Sequence, residues 1–133
     1  MVIRIRAGDV ESEAELNDSA TARAIAEALP IDGRVQRWGE EIYFEIPVSV
    51  AEAEDARQDM EVGELAYWPP GSAFCIFFGP TPASTGERPR AASNVNPVKA
   101  HLLAKRFARI VIPSSMKSGA RASMQPHTKI LKR

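Results

Sequence analysis

The alternation of apolar and polar side chains over residues 41–46 constrains the fold more than any other stretch of this 133-residue chain. The six residues divide into two alternating sets, Ile42, Phe44 and Ile46 against Glu41, Tyr43 and Glu45. Successive side chains of a β-strand point to opposite faces of the sheet. The pattern therefore predicts a strand that buries the first set in a core and turns the second set away from it.

Further short stretches with strand-like patterning lie at residues 2–6, 10–16, 35–37, 64–68 and 73–78, and glycine and proline separate many of them. One helix is predicted at about residues 19–29, because Asn17-Asp18-Ser19 offers capping oxygens and Pro30 ends the apolar periodicity that follows. Residues 79–96 contain repeated glycine and proline, which predicts a long loop. This organisation indicates a mainly β chain, an antiparallel β-barrel that is closed or nearly closed, with one principal α-helix.

The charge of the chain is divided between its two ends. Residues 1–98 hold all 17 acidic residues and eight arginines, and residues 99–133 hold nine basic residues and no acidic one, so that −9 and +9 cancel. We therefore divide the chain into a β-barrel domain, 1–98, and a basic C-terminal segment, 99–133. That segment is either a divergent, partly disordered chain end or an amphipathic basic helix that binds nucleic acid or another anion. Its composition predicts order up to about Ile112 and mobility beyond it.

Several motifs occur together in the first part of the chain: Trp38–Phe44, Gly63–Gly71, Phe74–Pro82 and Asn94–Val98. In combination they resemble a family of small prokaryotic proteins that have a cyclophilin-like fold and no settled activity. The resemblance covers roughly residues 1–98. It implies a cyclophilin-like antiparallel β-barrel for that part of the chain.

A more distant similarity links the chain to the cyclophilin prolyl isomerases. Their Gly-x-Leu-Ser-Met-Ala-Asn segment is matched at Gly63 and Leu65, and their paired phenylalanines are matched at Phe77-Phe78. The Ala-Asn edge that binds peptide is replaced by Trp68-Pro69, and the catalytic Phe-His-Arg motif has no counterpart before residue 41. The resemblance therefore supports the fold and leaves a prolyl isomerase only as an alternative, with a site rebuilt around Arg37.

The candidate binding site lies where the strand at residues 41–45, the strand at residues 74–78 and the loop to residue 96 meet. Its ligand-binding candidates are Arg37, Tyr43, Glu45, Phe77 and Asn94. The aromatic rings would supply apolar contact, Arg37 would bind an anionic or carbonyl group, and Asn94 would donate or accept directional hydrogen bonds. We expect a small molecule or an extended peptide as the ligand. Glu41 and Glu45 could also perform acid–base chemistry if burial separated their pKa values, although solvated strand residues are the commoner case.

Other function classes find little support in the sequence. His101, His127 and the single cysteine, Cys75, do not have the spacing of metal ligands, and no glycine-rich phosphate loop is present. We therefore expect no cofactor and no metal, and we expect Cys75 to be a buried, unreactive thiol. The N-terminal residues lack the apolar stretch of a signal peptide, and no stretch is long enough to span a membrane. A cytoplasmic location is the expectation; the oligomeric state is left open.

Overall fold

The computed structural model describes residues 1–7, 10–101 and 127–132. These residues form one α-helix, α1 (Ala20–Ala28), and eleven β-strands: β1 (Val2–Ala7), β2 (Val10–Leu16), β3 (Ile31–Arg34), β4 (Gln36–Trp38), β5 (Glu41–Glu45), β6 (Arg57–Asp59), β7 (Leu65–Trp68), β8 (Ala73–Phe77), β9 (Arg90–Pro97), β10 (Lys99–His101) and β11 (His127–Lys132). A short 3-10 turn, Pro69–Gly71, connects β7 to β8. The predicted mainly β class with one principal helix is confirmed.

The described strands form two antiparallel sheets. A five-stranded sheet has the order β10-β2-β1-β11-β3, and a six-stranded sheet has the order β4-β5-β8-β7-β9-β6. The central strands of the six-stranded sheet are aligned so that Phe44 lies opposite Phe74 and Tyr43 lies opposite Cys75. This register decides which side chains share a face of the sheet, because residues directly opposite each other on neighbouring strands point to the same side.

The main hydrophobic core contains side chains from both sheets and from α1. Its larger members include Ile3, Ile5, Ile25, Ile42, Phe44, Leu65, Tyr67, Phe74, Ile76 and Ile130. The rings of Phe44 and Phe74 contact each other with centroids 5.6 Å apart. The six-stranded sheet therefore has an inner face, which is packed against this core, and an outer face. The predicted burial of Ile42, Phe44 and Ile46 is confirmed, since each is at most 3% exposed.

The helix begins where the sequence predicts. Ser19 is the N-cap residue, and its hydroxyl accepts a hydrogen bond from the backbone N–H of Ala22. The side chain of Asn17 accepts hydrogen bonds from the backbone and the hydroxyl of Ser19, which holds the cap in place. Together these bonds satisfy backbone donors that a helix start leaves unpaired.

The prediction of a loop over residues 79–96 is wrong for residues 90–96, because Arg90–Pro97 form the strand β9. This strand pairs with β6 and with β7, so that Tyr67 lies opposite Asn96. Its sequence, RAASNVNP, has few large apolar residues, and the alternation that normally indicates a strand is therefore weak. The irregular connection is confined to the residues between Phe77 and Arg90.

The end of the chain is also part of the fold. Residues His127–Lys132 form β11, which lies between β1 and β3 and places Ile130 opposite Ile5. Ile130 and Thr128 are fully buried. The expectation of mobility beyond Ile112 is therefore wrong for residues 127–132, while residues 102–126 lie outside the described residues. The division of the chain at residue 98 stays a prediction, although its second part contributes β10 and β11 to the five-stranded sheet.

Candidate functional site

The outer face of the six-stranded sheet carries a pocket of about 210 Å³. Its lining residues come from five neighbouring strands: Trp38, Glu41, Tyr43, Trp68, Cys75, Ala91, Ala92 and Val95. Beside it, a second and smaller hydrophobic cluster packs on the same face and includes Met60, Cys75, Phe77 and Val95. The pocket is thus separate from the main core and is backed by its own apolar layer.

Strand register explains why these side chains converge. Trp38 lies opposite Glu41 across the β4–β5 hairpin, and Tyr43 lies opposite Cys75 across β5 and β8. The alternation of β5 places Glu41 and Tyr43 on the face away from the main core. The hairpin turn needs Gly39, whose φ of +61° lies in the left-handed region. Four lining residues are therefore brought together by two strand pairings.

Two of the three aromatic walls of the pocket are held by hydrogen bonds to neighbouring strands. The hydroxyl of Tyr43 donates to the side-chain oxygen of Gln36 over 3.0 Å, and the indole N–H of Trp68 donates to the hydroxyl of Ser93 over 2.7 Å. Gly71 lies so close to the Trp68 ring that an added Cβ would come within 2.7 Å of it. These contacts hold the two rings in defined positions.

The carboxyl group of Glu41 is the charged group among the described lining residues. The residue is 6% exposed, and burial raises the pKa of its carboxyl from 4.5 to about 7, an effect that a hydrogen bond from the Cys75 thiol partly opposes. Burial and the adjacent carboxylate raise the pKa of the Cys75 thiol well above its ordinary value. Cys75 therefore stays protonated near neutral pH, as expected of an unreactive thiol, whereas Glu41 changes its charge there.

Comparison with known proteins places this fold in a family. A family model described as "Cyclophilin-like" matches residues 1–106. The chain belongs to the cyclophilin-like family. Its solved relatives include the hypothetical protein AF2241 from Archaeoglobus fulgidus, which is 37% identical, with a TM-score of 0.73 over 100% of this chain and 95% of that one. The comparison with curated proteins gives no match.

A second solved structure shares the fold with this cyclophilin-like chain at much lower identity. It is the structure of McbB in complex with tryptophan, which is 14% identical, with a TM-score of 0.64 over 98% of this chain and 44% of that one. At this identity the similarity concerns the fold alone. The family resemblance inferred from the sequence motifs is confirmed, and its matched region extends slightly beyond residue 98.

Tyr43 is the one sequence-predicted ligand residue that lines the pocket. Arg37 lies opposite Ile42, a core residue, so the strand register turns it to the other face of the sheet. Its guanidinium donates to the carbonyl oxygen of Gly39 over 2.8 Å and forms an ion pair with Glu40 at 3.4 Å. The structure thus assigns Arg37 contacts that stabilise the β4–β5 hairpin and does not bring it together with Tyr43.

The other three predicted ligand residues also lie outside the set that lines the pocket. Glu45 is exposed on β5, and Asn94 is half-buried on β9. Phe77 is fully buried in the outer apolar cluster beside the pocket. Their role in binding stays a prediction. Asn96, two positions further on, is buried and hydrogen-bonds Thr21 and the backbone at residues 51 and 53, which fixes the segment that follows β5.

The sequence motifs did not indicate that Trp38, Trp68 and Cys75 belong to the site, and they favoured a solvated Glu41 as the commoner case. Alternation along β5 showed that Glu41 shares a face with Tyr43, but a single strand cannot show what covers that face. Trp38 of β4 and Trp68 of β7 line the same pocket as Glu41. The pairing of Tyr43 with Cys75 was the missing information, and it depends on a contact between distant parts of the chain.

A membrane-spanning helix and a metal-ligating cluster are both absent from the residues that the structure describes. No helix within residues 1–7, 10–101 and 127–132 is long and apolar enough to cross a membrane. In the same part of the chain, no group of three or more His, Cys, Asp or Glu side chains is arranged to hold a metal ion.

Proposed function

We propose that this cyclophilin-like protein binds a small organic molecule in the pocket on the outer face of its six-stranded sheet. The observation that carries the proposal is the Glu41 carboxyl, which is almost fully buried among aromatic and small apolar side chains. Ligand sites in proteins are typically apolar concavities with a few well-placed polar groups that orient the ligand. This pocket has that composition, and hydrogen bonds hold two of its rings in place.

The size of the pocket favours a small molecule over an extended peptide. A dry apolar cavity of ~150 Å³ is large enough to bind benzene. A pocket of about 210 Å³ therefore has room for one ring with a short substituent, which is much less than several peptide residues need. An extended peptide could place one side chain here and would need further contacts along the sheet.

The isomerase alternative is not favoured by the position of Arg37. Catalysis of prolyl isomerisation needs a group that interacts more strongly with the twisted amide of the transition state than with the planar amide of the ground state. Arg37 was the candidate for that group, and it contacts Gly39 and Glu40 on the β4–β5 hairpin instead. The basic segment proposed to bind anions lies mostly in residues 102–126, outside the described residues.

A fragment screen by two-dimensional NMR tests the proposal. One-ring fragments should shift the amide signals of the lining residues and raise the melting temperature, because a ligand that binds only the folded state stabilises it. Ala92 lines the pocket and is exposed, so Ala92→Trp should fill the cavity without disturbing the core. The matched control is Ala51→Trp, at an exposed position outside the pocket lining.

The expected result is fragment binding that Ala92→Trp abolishes and Ala51→Trp preserves. Two results would contradict the proposal. One is a screen in which no fragment perturbs the lining residues, and the other is binding that continues unchanged when residue 92 is tryptophan.

A further inference from the structure

We propose that the ligand of this pocket is an organic cation, a protonated amine carried on a flat apolar body, with its charged group against Glu41. The inference rests on the proposed function, since it names the chemical class that the same pocket takes. It follows from which groups line the pocket and from which of their hydrogen-bonding atoms are already engaged.

The lining residues include an acidic side chain and, within the described part of the chain, no basic one. Glu41 supplies a carboxyl, and no arginine, lysine or histidine in residues 1–7, 10–101 and 127–132 is among the lining residues. A buried carboxylate loses its hydration and requires a positive partner or hydrogen-bond donors in exchange. An ammonium group provides both. An anionic ligand would add a second negative charge beside the first, and a purely apolar ligand would leave the carboxylate with still less water.

The aromatic walls favour the same class of ligand. The side chains of Trp38, Trp68 and Tyr43 line the same pocket as the Glu41 carboxyl. The face of an aromatic ring carries negative electrostatic potential and attracts cations, most strongly for tryptophan. The polar atoms of Tyr43 and Trp68 already donate to Gln36 and Ser93, so these side chains present mainly their rings to a ligand.

The remaining wall limits the body of the ligand. Cys75, Ala91, Ala92 and Val95 are small side chains that form an apolar surface from β8 and β9. A molecule with one planar ring and a short aminoalkyl chain could contact this surface while its nitrogen reaches the carboxyl. Amines of this size are therefore suitable probes, with 2-phenylethylamine as the simplest case.

Binding of a cation should also depend on pH through Glu41. The titratable groups that share the pocket with it are Cys75 on β8 and Tyr43 on β5, and the lining residues from β4, β7 and β9 do not titrate. The pKa of Glu41 in the free protein is about 7, so only a small fraction is ionised at pH 5. If the amine binds only the ionised form, its apparent affinity should rise by up to about 90-fold between pH 5 and pH 8.

Three probes of similar shape distinguish a cationic, a neutral and an anionic ligand: 2-phenylethylamine, 2-phenylethanol and phenylacetate. Their dissociation constants are measured by NMR titration at pH 5 and pH 8 with the full-length protein. At pH 8 we expect the amine to bind at least tenfold more tightly than the alcohol, and the anion to bind most weakly. The amine preference should decrease towards pH 5, and amine binding at pH 6 should release a proton, which calorimetry in buffers of different ionisation enthalpy detects.

Glu41→Gln keeps the shape of the side chain and removes its charge, so it should abolish the preference for the amine over the alcohol. The control is Glu27→Gln, at an exposed position of α1, which should leave that preference unchanged. Equal binding of amine and alcohol at pH 8, or a preference that survives Glu41→Gln, would overturn the cation assignment while the pocket stays a binding site. If neither these probes nor the neutral fragments bind the pocket, the proposed function itself fails and the inference fails with it.

Discussion

Glu41→Gln is expected to become progressively more stable than the parent protein as the pH rises from 5 to 8. The carboxyl of Glu41 lies on the outer face of β5 and is 6% exposed. Ionisation in this position requires a charge to exist with little hydration, which opposes folding. Glutamine has nearly the same shape and stays neutral at every pH, so the variant removes only this pH-dependent contribution.

The sign and the size follow from the raised pKa. Its value of about 7 in the folded protein lies above the ordinary 4.5, so between these values the folded protein binds more protons than the unfolded chain. The stability associated with the neutral carboxyl is fully present below pH ~4.5 and is lost as the pH rises through 7. The two pKa values correspond to a total of about 3.4 kcal/mol, of which about 2.5 kcal/mol falls between pH 5 and pH 8.

Urea unfolding of parent and variant at pH 5, 6, 7 and 8 measures this directly. The difference in free energy of unfolding between variant and parent should grow by about 2.5 kcal/mol over this range, in favour of the variant. Glu45→Gln is the control, because Glu45 lies on the same strand and the same face but is exposed. A difference that stays constant with pH for Glu41→Gln, or one that changes equally for Glu45→Gln, would refute the assignment of a strongly buried carboxyl at residue 41.

Three further outcomes are expected. Phe44→Ala should lower the free energy of unfolding by about 3–5 kcal/mol in urea titrations, because the ring is buried against Phe74; a loss below ~1 kcal/mol would contradict this core. Ile130→Ala should destabilise the protein by about 2–5 kcal/mol, and an unchanged midpoint would show that β11 is not part of the folded sheet. Prolyl isomerase activity should be absent or very weak in a protease-coupled assay on Xaa-Pro peptides; robust turnover that Arg37→Ala abolishes would reverse this expectation.

The elements that could be predicted are those whose signal is local. The alternation of β5 predicted both of its faces, and the Asn17–Ser19 cap predicted the start of α1. Both signals arise within a few consecutive residues, since strand alternation and helix capping depend on near neighbours. The motifs that carry the family resemblance are local in the same sense.

The elements that could not be predicted depend on contacts between distant parts of the chain. β11 has the sequence HTKILK, with Ile130 and Leu131 as its apolar residues, and its identity as a strand comes from pairing with β1 and β3. Sequence periodicity cannot show such a pairing, because the partners are more than 90 residues away. The face on which Arg37 lies is likewise decided by strand pairing, because the β4–β5 register places it opposite the core residue Ile42.

Two buried polar side chains, Asn96 and Glu41, differ in their effect on the stability of the fold. Asn96 is 1% exposed, and the amide nitrogen and oxygen of its side chain bond Thr21, Ala51 and Ala53, so the protein itself satisfies this group. Glu41 is buried to a similar degree, and the contact that partly opposes the rise in the pKa of its carboxyl comes from the thiol of Cys75, which is a weak donor. A neutral side chain at residue 41 would make the fold more stable at neutral pH, by the linkage that the glutamine variant tests. The fold alone therefore accounts for Asn96, whereas the buried carboxyl of Glu41 lowers stability at neutral pH and is the group to which the proposed binding function assigns a role.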